Sequence, residues 1–186
     1  MRRVIFLDRD GVINRDSPDY VKSWEEFEFL PGSLTALSLL SQAGYRLIVI
    51  TNQSAIHRGM IPPAALEEMH RRMSAAVTAA GGRIVDIFFC PHRPDEGCAC
   101  RKPQPGLVLQ AQARHAIELA DSIMIGDSTR DIQCGRNAGC RATILVLTGN
   151  GAAAARELTS RNRPDATADD LLHAARLILS GGARIG

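Results

Sequence analysis

The sequence predicts an α/β protein, a Rossmann-like parallel sheet with helices on both faces, and three observations predict it. Short apolar runs rich in β-branched residues recur along the chain, stretches with helical spacing separate them, and 186 residues suffice for one well-buried core. Strands that alternate with helices in this way pair in parallel and are covered on both sides.

The elements follow in order. Val4–Leu7 reads as a buried strand, and Gly32–Ala43 as a helix with Gly44 at its end. Leu47–Ile50 is the second strand. Pro63–Ala80 is the second helix, with Pro63 suited to its first turn and Gly81 to its end. Ile84–Phe89 is the third strand, and Pro105–Ala120 the helix after it. Ile123–Ile125, a helix from Asp131 to Ala138 closed by Gly139, and the strand Thr143–Leu147 continue the pattern. The small-residue stretch Gly149–Ala155 reads as a surface loop, Asp169–Leu179 as a terminal helix, and Gly181–Gly186 as a fraying end. No repeat and no linker divides the chain, so residues 1–186 are expected to form a single domain.

Composition excludes several functions. The 22 basic and 20 acidic residues give a net charge of +2 and are scattered, which leaves no nucleic-acid footprint. Arg2-Arg3 precede an apolar run that Asp8 interrupts well short of a signal peptide's core. No run approaches a membrane span. A cytoplasmic protein without membrane partners is the expectation, and a mixed surface without a coiled-coil pattern makes it a monomer.

The chemistry gathers at strand ends. Asp8 and Asp10 follow the first strand two residues apart, so they converge while Arg9 points away, and Gly11 allows a sharp turn. Two close carboxylates repel unless a cation lies between them, which points to a divalent metal, Mg²⁺. Thr51-Asn52-Gln53-Ser54 closes the second strand, and Gly126-Asp127-Ser128 closes the fourth. In a parallel sheet these ends share one crevice. Thr51 offers a hydroxyl to a phosphate oxygen. Asp127 completes a hard-oxygen Mg²⁺ site with Asp8. Asp131 is either a carboxylate supporting that site or an acid favoured by its helix dipole.

Cys90-Pro91-His92 and Cys98-Ala99-Cys100 supply three thiolates and one imidazole, a closed tetrahedral set for a structural Zn²⁺ that pins the loop after the third strand. Cys134 and Cys140 read as free, part-buried thiols, since an odd cysteine count without a secretory signal argues against disulfides. Arg101 and Lys102 follow Cys100 directly, just before a helix, and form an anion site. A metal, cations and a phosphate-sized gap point to phosphoryl transfer, with one carboxylate as nucleophile and another as proton carrier.

Together the DxDG, the strand-end Thr, the Lys before a helix and the GDxxxD resemble the haloacid-dehalogenase (HAD) superfamily of phosphatases, over about Val4 to Gly149. FLDRDGVIN (Phe6–Asn14), TNQS (Thr51–Ser54), CPH with CACRKPQPG (Cys90–Gly106) and GDSTRD (Gly126–Asp131) are similar to the D-glycero-D-manno-heptose-1,7-bisphosphate 7-phosphatase family within it. That resemblance implies Asp8 as nucleophile and Asp10 as general acid/base, with the Asp10 backbone carbonyl also on Mg²⁺. It implies Thr51 and Lys102 on the transferring phosphate, Asp127 on the metal, and Arg101 and Asn52 on a sugar bisphosphate substrate. It further implies a HAD-like fold without a cap domain, the zinc loop shaping the pocket, in the supply of heptose for lipopolysaccharide. Three positions depart from the family's pattern: Ala55 and His57 stand where glycine and alanine are common, and Ser128 where some relatives carry lysine. A histidinol-phosphate phosphatase and a non-catalytic, zinc-stabilised sugar-phosphate-binding module are the alternative readings.

Overall fold

The computed structural model describes residues 3–160 and 162–181, so the glycine-rich end at 182–186 lies outside the described residues. Strands β1 (Val4–Leu7), β2 (Arg46–Asn52), β3 (Ile84–Cys90), β4 (Ile123–Gly126), β5 (Ala142–Val146) and β6 (Ala166–Ala168) form one sheet in the order β3-β2-β1-β4-β5-β6. Every pairing is parallel. The helices are α1 (Ser33–Gln42), α2 (Pro63–Ala79), α3 (Gly106–His115), α4 (Thr129–Ala138), α5 (Gly151–Arg156) and α6 (Leu171–Leu179). Among the described residues no helix is long and apolar enough to cross a membrane.

The period of two along each strand decides which helices cover which face. Ile5 and Leu7 of β1, Leu47 and Val49 of β2, and Ile123 and Ile125 of β4 pack on α1, α2 and α6 through Leu37, Leu40, Met69, Met73 and Ile178. Val4, Phe6, Ile48, Ile50 and Met124 point the other way, onto Leu107, Val108 and Ala111 of α3 and Cys134 of α4. Both faces are apolar, as a doubly covered sheet requires.

The helix ends follow their local chemistry. Pro63 opens α2, and Gly81 accepts the left-handed turn after it. Ser128 and Asp131 form a reciprocal capping box at the start of α4, and Gly139 closes it. The Asp170 side chain accepts the His173 N–H at the start of α6.

Three expectations need correction. The stretch Gly149–Ala155 is not all loop: Gly151–Arg156 forms α5, because four consecutive alanines have the highest helix propensity once Asn150 starts the turn. The helix expected over Pro105–Ala120 stops at His115. Ala116 adopts φ 49°, and the chain turns so that Ile117 and Leu119 bury against the sheet. A sixth strand, β6, was not expected, since three residues without a bulky side chain carry too little pattern to mark a strand.

Candidate active site

The order of the strands places the site. The chain winds outward from β1 through β2 to β3, then returns to β1's other side with β4, so β1 and β4 flank the switch point where open α/β sheets bind ligands. A cleft of about 280 Å³ opens there, and Asp8, Asp10, Thr51, Asn52, Arg101, Lys102, Asp127 and Asp131 all line it. Each cleft residue expected from the sequence therefore reaches one place.

Lys102 is the electrostatic centre. It is only 3% exposed, and its ammonium lies 2.8 Å from Asp8 Oδ2 and 2.6 Å from Asp131 Oδ1 while donating to the Ile50 carbonyl at 3.0 Å. Burial alone would favour its neutral form, but Asp131 and Asp8 outweigh burial and hold it above the usual lysine range. Burial pushes Asp8 up to about 8, against the pull of Lys102 and with the help of Asp131 and Asp127. Burial and Asp131 likewise push Asp127 up to about 7. One buried cation cannot balance three carboxylates.

Carboxylate oxygens of Asp8, Asp127 and Asp131 lie within 4.8 Å of one another. This hard-oxygen donor set, short of positive charge, fits a Mg²⁺ ion. The backbone is shaped around it: a Cβ on Gly11 (φ 80°) would come 2.1 Å from Asp127 Oδ2, and one on Gly149 (φ 56°) 2.2 Å from the same atom. The N–H of Asn150 donates to that oxygen at 2.8 Å. Asp131 resolves the two readings left open for it by meeting both: Oδ2 caps α4 through Ser128, and Oδ1 pairs with Lys102.

Asp10 occupies a different environment. Its oxygens accept hydrogen bonds from the Arg9 guanidinium at 2.7–3.1 Å, from Asn14 Nδ2 at 2.8 Å and from Gln53 Nε2 at 2.8 Å. Burial opposes its charged form, yet Arg9 and these bonds outweigh burial and hold the carboxyl below its usual range. Arg9 was expected to point away. It does lie outside the cleft lining, but its guanidinium turns back to grip its neighbour. Asp10's carboxyl is not in the Asp8, Asp127, Asp131 donor set.

The supporting residues are fixed in turn. Thr51, 1% exposed, accepts from Gln53 at 2.9 Å. Asn52 exchanges hydrogen bonds with the Lys102 backbone at 3.1 and 3.3 Å, so both ends of its amide anchor the lysine. Arg101 donates to the His92 carbonyl at 3.0 Å and still faces the cleft.

The Cys90, His92, Cys98 and Cys100 ligand atoms form a compact cluster with contacts of 3.2–3.6 Å between them. Tetrahedral ligands about 2.3 Å (S) and 2.0 Å (N) from a zinc ion would stand roughly 3.5–3.8 Å apart, so the donors are close enough to share one ion. His57, one of the departures from the family pattern, joins this loop. Its Nδ1 lies 2.9 Å from Glu96 Oε2, and its ring meets that of His92 edge to face at 4.9 Å. Ala55 is fully buried and is absent from the positive-φ positions, so alanine meets no backbone strain there. Cys134 and Cys140 are free thiols, as expected.

The grip of Arg9, Asn14 and Gln53 on Asp10 was not expected from the sequence. Gln53 carried a signal, standing two residues beyond Thr51 on a strand end. Arg9 carried none, because alternation describes where a side chain starts and not where a long one ends.

Known proteins bear on this site. A HAD-hydrolase-like family model matches residues 99–174. The D-glycero-beta-D-manno-heptose-1,7-bisphosphate 7-phosphatase of Bordetella bronchiseptica is 48% identical over 149 residues, 80% of this chain and 83% of that one. The enzyme of the same name from Pseudomonas aeruginosa is 45% identical over 150 residues, 81% of this chain and 84% of that one. The crystal structure of D,D-heptose 1,7-bisphosphate phosphatase from B. bronchiseptica, complexed with magnesium and phosphate, superposes with a TM-score of 0.89 at 43% identity, covering 97% of this chain and 99% of that one.

Proposed function

The chain belongs to the heptose-1,7-bisphosphate 7-phosphatase family of HAD-type hydrolases, and from that premise we propose that it is a Mg²⁺-dependent phosphatase releasing the 7-phosphate of D-glycero-β-D-manno-heptose 1,7-bisphosphate. The observation that carries this reading is the convergence of Asp8, Lys102, Asp127 and Asp131 at the switch point, with Thr51 and Asp10 on the same cleft.

Asp8 attacks the phosphorus of the 7-phosphate, and the bond from phosphorus to the sugar C7 oxygen breaks. Asp10 supplies the proton to that leaving oxygen. A water then attacks the aspartyl phosphate, Asp10 takes its proton, and inorganic phosphate leaves with Asp8 restored. The donors around Asp10 favour its carboxylate, the form that takes the water's proton in this second step, and that same proton is the one it passes to the leaving oxygen of the next substrate. Lys102 and Thr51 hold the phosphoryl oxygens as charge shifts among them. Arg101, tethered to the zinc loop, faces the sugar's second phosphate, and Asn52 acts by fixing the Lys102 backbone. Asp8, Asp127 and the Asp10 backbone carbonyl would hold Mg²⁺, with Asp131 beside them, and the ion would supply charge neutralisation at the phosphoryl group.

A phosphate-release panel tests the substrate. With Mg²⁺ present, the β-anomer of heptose 1,7-bisphosphate should give the highest kcat/KM, roughly tenfold or more above the α-anomer, histidinol phosphate and fructose 1,6-bisphosphate. Removing Mg²⁺ with a chelator that spares tightly held zinc should stop turnover. Equal turnover of histidinol phosphate, or release without Mg²⁺, contradicts the assignment; no release from any substrate favours a binding module.

The cysteine cluster is assigned a structural Zn²⁺. With four protein donors it leaves no open position for water, and its chemistry is to hold Arg101 and Lys102 in place. The purified protein should carry about one zinc that survives dialysis, and Cys98→Ser should lower both the zinc content and the melting temperature. Metal analysis that finds no zinc refutes the site.

A further inference from the structure

Behind the cleft, α2 reaches the acid/base residue through a buried cation. Arg9 is 1% exposed, with its guanidinium 6.0 Å from the Phe27 ring centroid and Nη1 donating a weak hydrogen bond to Met69 Sδ at 3.6 Å. Nε and Nη2 are spent on Asp10. Nη1 points the opposite way and meets His70 Nε2 at 3.3 Å. His70 is 8% exposed and borders neither the cleft nor any of the clustered metal-donor groups.

A guanidinium only donates hydrogen bonds, so Nε2 of His70 must be the unprotonated, accepting nitrogen. Burial and the Arg9 charge push His70 down to about 3, in keeping with a neutral ring there. The fork fixes Arg9 relative to Asp10, but the pair can still shift together unless the far side of the guanidinium is tied to the scaffold. A second acceptor on its far side fixes the plane of the fork and therefore the direction in which the carboxylate faces.

We propose that His70 is a positioning residue for the phosphatase reaction: by accepting from Arg9 Nη1 it locks the guanidinium, and through it aims the Asp10 carboxyl at the leaving oxygen. The inference rests on the reading of Asp10 as the acid/base.

The test uses leaving groups. Protonation by Asp10 matters for a sugar alkoxide and little for p-nitrophenolate, which departs without a proton. In His70→Leu, kcat/KM for heptose 1,7-bisphosphate should fall roughly 10–100-fold while that for p-nitrophenyl phosphate changes less than about threefold. His70→Gln, which restores an accepting oxygen, should return the ratio of the two substrates to within about threefold of wild type. A merely structural role would slow both substrates alike, and that result overturns the proposal. Asp10→Asn separates the two levels of inference: if it spares the sugar substrate, the acid/base reading fails; if it reproduces the selective loss but folded His70→Leu behaves as wild type, the positioning role fails. Should His70→Leu not fold, His70→Gln decides: a wild-type ratio upholds the proposal and a shifted one overturns it.

Discussion

Asp8→Asn is expected to lower kcat by about 10⁴-fold or more while leaving the fold and the zinc content unchanged. An amide has no lone pair of comparable nucleophilicity, so no aspartyl phosphate forms, and none of the neighbouring acids can replace Asp8. Asp127 is pinned by Asn150, and Asp131 is shared between Ser128 and Lys102. Stability should be little affected, since the substitution removes one charge from a crowded, buried acid cluster and leaves Lys102 paired with Asp131. Single-turnover phosphate release and acid-quench trapping of the acyl phosphate give the check. Residual turnover above about 1% of wild type would refute covalent catalysis by Asp8.

Lys102→Met should damage both activity and stability. It removes the donor proposed to meet the transferring phosphoryl group, which costs roughly 10²–10³ in kcat/KM on the scale of single lost oxyanion donors. It also strips the one ammonium from between Asp8 and Asp131, and breaking a buried ion pair from one side costs about 3–5 kcal/mol. Part of that loss should return with Mg²⁺, because a divalent ion supplies the missing positive charge to the same oxygens. Urea unfolding with and without Mg²⁺ measures this. A variant as stable as wild type in the absence of Mg²⁺ would show that Lys102 is not the charge holding the acids together.

Much of this was legible in the sequence, for identifiable reasons. β1, β2 and β4 are buried on both faces, so their apolar runs stand out, and the polar residues that follow them mark the cleft edge. The cysteine cluster was legible because its ligands lie within eleven residues of one another in a chain with few cysteines. β6 was not: a three-residue edge strand owes its place to pairing with β5 and not to its own pattern. The end of α3 was hidden because Ala116 is a helix former whose left-handed turn is imposed by the burial of Ile117 and Leu119. At the site, sequence identified the groups but not their alliances. Asp131's link to Lys102 spans 29 positions and that of Arg9 to His70 spans 61, distances over which no local spacing speaks.

The seam over Asp127 carries a further consequence. Gly11 and Gly149, 138 positions apart, close on that carboxylate, and the Thr148 hydroxyl donates to the Gly11 carbonyl at 2.7 Å across the join. One wing of the sheet, β1 to β3 with its loops, brings Asp8, Asp10 and Lys102. The other, β4 to β6, brings the remaining acids. Neither wing holds a working centre. Pairing β1 with β4 bridges more than a hundred residues, the kind of long-range closure that comes slowly in folding. Regain of activity during refolding should therefore report the joining of the two wings.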